Sequence, residues 1–275
     1  MLIAKTSTSR NWSAEMALEF SRDRGRTTVR RVRQRGPLAV QKPFNQPNGE
    51  CQVYLLHPPG GIVGGDTLAT TVRATRDASG LVTTPASSKV YRSTNAVSTV
   101  TQRLEVSAGA RLAWLPQDTI LFGGSKYAMN TEIDLNPSAS FCGWEITSLG
   151  RPLSGDGYDV GAFDQRMQVT VGGAVRLREH LAWSDDRTIL DAAWGLAGRR
   201  VLATWLTYPA DADLVNAVRE CLPDGFAATL LQDLLLVRGL ADDAHLVRQT
   251  LATAWHSIHM QAFGVSACMP RIWLT

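Results

Sequence analysis

A histidine and an aspartate flank two prolines and two glycine pairs in residues 56–68, LHPPGGIVGGDTL. His57 and Asp66 are side chains that can hold a proton or a cation. Pro58 and Pro59 fix two φ angles at about −65° and remove two N–H donors, whereas Gly60, Gly61, Gly64 and Gly65 open backbone shapes closed to other residues. The segment reads as a shaped loop. Such a loop either brings backbone close to a phosphate or metal, or turns a tight corner in a β-protein. No Gly-Lys-Ser/Thr follows it, and its glycine spacing does not fit a dinucleotide fingerprint, so nucleotide binding is disfavoured. For Asp66 the plainer role is closing a turn on backbone N–H groups.

His256 and His259 stand three apart near the C-terminus, where one helix face could carry both, but a metal centre needs further ligands and none is adjacent. His57, His180 and His245 have no companions at ligand spacing. Cys51, Cys142, Cys221 and Cys268 are scattered without a CxxC pair, which suits buried thiols in a reducing compartment. GxSxG, HExxH and EF-hand patterns are absent, and SGDGYD at 154–159 reads as a flexible turn. The arginines of residues 22–36 suit an exposed edge strand or a partner interface. By motif the chain has no catalytic engine, which points to binding or scaffolding.

The 275 residues with 44% hydrophobic content suffice for a sizeable core, and a net charge of +3 does not suggest nucleic acid. The N-terminus lacks a signal-peptide core and no run of about 18 apolar residues occurs, so a cytoplasmic protein with no membrane span is expected. Short runs rich in Val, Thr and Leu, cut by Gly, Pro, Asn and Asp, predict strands at 14–21, 27–34, 51–57, 67–75, 97–106, 131–135, 141–149, 164–171 and 174–183. Turns are predicted at Ser79-Gly80, Ala108-Gly109, Asn136-Pro137 and Gly172-Gly173. No exact repeat is visible.

After Tyr208-Pro209 the pattern changes. Asp211 or Asp213 caps a helix through Cys221, residues 227–240 form a hairpin turning at Gln232-Asp233, and Asp242 caps a second helix to about Met260. The expectation is one domain over 1–275: a mainly β, layered or solenoid-like body at 1–207 and an α/β part at 208–275 with two C-terminal helices.

LHPPGGIVGGDTL, with GRTTVRRVRQRGPLAVQKPF at 25–44, LVTTPASSKVYRS at 81–93, WLPQDTILFGGS at 114–125, WEITSLGRPLSGDGYDVG at 144–161 and PRIWLT at 270–275, closely resembles the UreD (UreH) urease accessory proteins, block by block and in order. The resemblance implies a non-catalytic chaperone that assembles with UreF and the GTPase UreG on apo-urease to deliver nickel, as a homo-oligomer within that larger complex. It also implies no tightly bound cofactor, only transient Ni2+, and no nucleic-acid partner. A metal in transit suits weakly coordinating oxygens in a protected passage better than a tight Cys or His site. Carboxylates in the matched blocks are then the passage candidates: Asp66, Glu145, Asp156 and Glu179, with Asp66 and Glu145 foremost. His259 and Met260 stand where the family usually carries an arginine and a proline, so the C-terminal contacts are not carried over. A β-rich binding protein unrelated to nickel is the alternative.

Overall fold

The computed structural model describes residues 11–151, 154–185 and 188–274. Strands β1 (Ser13–Asp23) and β2 (Arg26–Arg35) form a hairpin, and the short β3 (Ala39–Val40) and β4 (Phe44–Asn45) precede β5 (Cys51–Leu56). The chain then coils. Strands β6 (Thr67–Ala74), β7 (Ser79–Thr83) and β8 (Ser88–Val90) make one coil, and β9 (Ser98–Val106), β10 (Arg111–Leu115) and β11 (Thr119–Leu121) make the next. A third consists of β12 (Lys126–Leu135) and the long β13 (Ser140–Leu149). Corresponding strands of successive coils pair in parallel, which is the signature of a β-solenoid.

Two sheets result. The first runs β15-β14-β12-β9-β6-β1-β2, where β14 (Ala162–Val171) and β15 (Ala174–Ser184) are an antiparallel hairpin. The second runs β17-β18-β16-β13-β10-β7-β5-β3, extended by β16 (Val201–Tyr208), β17 (Phe226–Leu231) and β18 (Leu234–Ala241). A short helix α1 (Thr188–Asp191) precedes β16, and α2 (Ala212–Cys221) and α3 (Ala244–Phe263) cover the outer face of the second sheet.

Period-two alternation divides the core. One apolar cluster lies between the sheets, and a second, centred on Trp205 and Trp255, lies between the second sheet and the helices. Asp211 caps α2 as expected, its side chain accepting from Leu214 N. Helix α3 starts one residue later than expected, with Asp243 as its cap, and ends at Gly264 in the left-handed conformation. The hairpin turns at Gln232-Asp233, where Gln232 has φ of 57°.

One predicted turn is corrected. Ser79-Gly80 lies inside β7, because Gly80 supplies a bare backbone for the ring of Phe20; a Cβ there would lie 2.7 Å from it. Strands β10 and β16 were not expected either; both are buried on two faces and so lack alternation.

Candidate functional site

On β13, Phe141, Gly143, Glu145, Thr147 and Leu149 point between the sheets, while Cys142, Trp144 and Ile146 point toward the helices. Alternation thus carries a carboxylate into the core, where Glu145 is 5% exposed. Its two oxygens are held from the opposite sheet: Thr131 Oγ1 on β12 donates a short hydrogen bond to Oε1, and Gln165 Nε2 on β14 donates to Oε2 at 2.6 Å. Burial pushes the Glu145 carboxyl up to about 7; the two hydrogen bonds pull against that, and the charge of Glu179 adds to it.

Two cavities are lined by Glu145. One, of about 260 Å³, is lined by His57, Thr70, Gln102, Trp114 and Tyr127 and reaches the exposed Pro58, Gly60 and Lys89. The other, of about 670 Å³, is lined by Gln165, Glu179, Thr204 and Arg238 and reaches the exposed Arg178 and Ala227. Glu145 and Thr147 line both. Register groups the polar side chains: Thr70 and Gln102 of the first cavity and Thr131, which holds Glu145, fall in one row across β6, β9 and β12, whereas Val72, Leu104, Ile133 and Val169, two residues further along, make an apolar row. Gln102 Oε1 and Trp114 Nε1 are buried without a protein partner. These linings offer scattered oxygen ligands and no tight cage. Among the described residues no group of three His, Cys, Asp or Glu converges to hold a metal.

The other passage candidates divide by place. Glu179 lines the second cavity and is paired with Arg238. Asp66 accepts from Trp12 N at 2.8 Å and Val63 N at 2.9 Å, so its carboxylate closes the glycine loop. Asp156 accepts from Gly123 N and Tyr158 N and sits 3.6 Å from the Arg151 guanidinium, locking the 154–159 turn. Neither aspartate lines the two cavities. His57, Pro58, Gly60 and Gly61 do line the first, so the loop shapes its mouth, and burial lowers the His57 pKa against the pull of Asp66. Gly61 is packed under the Tyr91 ring, and Gly65 takes φ of +90° beside Asn11.

His256 and His259 do not share a ligand. His259 is buried, stacks 4.8 Å from Phe263 and places Nδ1 2.8 Å from the Val265 carbonyl, while His256 is exposed along α3. Burial lowers the His259 pKa. Thr131, Gln165, Gln102 and Arg238 escaped sequence reasoning; their only signal was strand alternation, which becomes informative once the register of the sheets is known.

The UreD urease accessory protein profile matches residues 13–274 of this chain. The chain belongs to the UreD family. A urease accessory protein UreD of Alkalilimnicola ehrlichii is 40% identical over 272 residues, covering 97% of this chain and 93% of that protein. One from Pseudomonas putida is 39% identical over 267 residues, covering 96% and 95%, and one from Alcanivorax borkumensis is 34% identical over 281 residues, covering 98% and 95%. UreD membership carries a role in urease maturation. Among the described residues no helix is long and apolar enough to cross a membrane.

Proposed function

We propose that this UreD-family chain is a non-catalytic chaperone that assembles with UreF and the GTPase UreG on apo-urease, in the cytoplasm, and passes Ni2+ between its two sheets toward the urease active site. The observation that carries this reading is the pair of cavities that share Glu145 and Thr147 in their walls. A hydrated cation moving past Gln102, Glu145 and Thr147 meets oxygens one or two at a time, which favours exchange over capture. A cation beside Glu145 supplies the charge that burial withholds and so favours the carboxylate; when it leaves, the carboxyl recovers its proton, and residence stays brief. Hydrolysis of GTP belongs to UreG in this scheme, in keeping with the absence of a phosphate-cradling motif in the sequence.

The test is urease activity in nickel-supplied cells expressing the urease subunits with UreE, UreF and UreG, with and without this chain. Activity that depends on the chain while apo-urease levels stay constant supports the maturation role. Equal activity either way overturns it.

A further inference from the structure

We propose that Arg238 is the gate residue at the Glu179 end of the passage: its guanidinium occupies the carboxylate that a departing cation would use, and the mouth admits a cation only when that ion pair opens. The inference rests on the passage reading above and adds to it the residue that controls one end. Glu145, Thr204 and Arg238 lie in register across β13, β16 and β18, so they form one row on the inner face of the second sheet. A cation leaving Glu145 along that row passes Thr204 and meets the guanidinium.

Facing the row from β15 of the first sheet is Glu179. Among the described residues lining this cavity, Glu145 and Glu179 are the only acidic side chains. Arg238 Nε donates to Glu179 Oε1 at 2.7 Å, and Nη2 donates to the same oxygen. The mouth therefore presents a neutralised carboxylate, with Arg178 adding positive charge at the exposed rim. The Arg238 side chain is 60% exposed, and an ion pair open to solvent on one side is weak enough to exchange partners. A second ion pair, Arg176 to Asp233 at 3.2 Å, also ties β15 to the β17–β18 turn, and neither of its members lines the cavity. The edges of the two sheets thus keep a link when Arg238 lets go.

Equilibrium dialysis of the full-length chain, alone or in its accessory complex, against radiolabelled Ni2+ tests the assignment. Arg238→Gln frees Glu179 and is expected to tighten Ni2+ binding about two- to fivefold; adding Glu179→Gln abolishes that gain. Arg238→Lys, which keeps the charge with fewer contacts, falls between wild type and Arg238→Gln. Arg176→Gln, which removes the other link, leaves binding at the wild-type level. Equal binding by wild type, Arg238→Gln and Arg238→Lys overturns the gate, as does an equal gain in Arg176→Gln, because loosening the sheet edge would then be the cause. Glu145→Gln separates the two readings. If it weakens Ni2+ binding while Arg238→Gln changes nothing, the passage stands without the gate; if it changes neither Ni2+ binding nor urease activation, the passage falls and the gate with it.

Discussion

A carboxyl group between two sheets has to be neutral, paired or solvated, and Glu145 is held by two neutral donors with no arginine or lysine among its hydrogen-bond partners. Its pKa, raised from 4.5 to about 7, means that folding favours the protonated form. The associated stability is fully present below the unfolded value of about 4.5 and is lost as pH rises through about 7. Glu145→Gln keeps the shape and removes the charge. It is expected to raise stability at pH 8 by about 2–3 kcal/mol and to leave it nearly unchanged at pH 5, which thermal unfolding at the two pH values reads directly; a gain of equal size at both would show that packing, not charge, sets the effect. The same variant should lower nickel loading of urease several-fold. The apolar neighbours Trp144 and Ile146 make a strand with a carboxylate inside it legible in the sequence. Its holders were not, since Thr131 and Gln165 lie 14 and 20 residues away and meet it only through the pairing of sheets.

At the scale of elements, the sequence disclosed chain breaks better than what the breaks hold. The glycine loop at 56–68 reads in the sequence as a rigid corner, and in the fold it is one wall of a cavity mouth that residues of β5, β8 and β11 also line. Gly65→Val should be costly because φ of +90° excludes a β-branched residue and a Cβ would strike the Asn11 side chain. We expect a loss of about 2 kcal/mol or more, seen as a lower urea midpoint and less soluble protein; unchanged stability would mean that the loop is not held in one geometry.

Helix α3 is fixed by a contact no local pattern announced. Asp118, 1% exposed, accepts from Ser87 Oγ at 2.6 Å, Ser148 Oγ at 3.0 Å and Arg248 Nη1 at 2.5 Å, so one carboxylate joins the segment before β8, strand β13 and the helix. Arg248→Ala leaves that charge buried and short of its partner, with an expected cost of about 3 kcal/mol. A double-mutant cycle with Asp118→Asn measures the coupling; additive effects would place the attachment of α3 in the apolar cluster around Trp255 alone. The stacked Trp144 and Trp273 rings, 5.7 Å apart, fasten the terminal PRIW segment to the helix-covered face of the second sheet.

For the whole molecule, the solenoid was the hardest feature to see. Parallel coils require only that β6, β9, β12 and β14 return to the same register, and the connections between them differ in length and content, so no repeat appears in the sequence. A consequence of that architecture is an uneven distribution of stability. Strands β9 and β12 are hydrogen-bonded on both sides and seat Leu104 and Ile133 in the apolar row, whereas β2 ends its sheet with an exposed, arginine-rich strand. Residues 22–35 contain seven arginines and one aspartate in a chain whose total charge is +3, a composition that blunts an open edge against stray pairing. Native-state hydrogen exchange should therefore find β9 and β12 amides opening only with global unfolding and β2 amides exchanging orders of magnitude faster. Protection of β2 equal to that of β9 in the isolated chain would mean that its edge is covered by a second copy. Protection gained only on assembly with accessory partners would instead identify β2 as part of the surface those partners occupy.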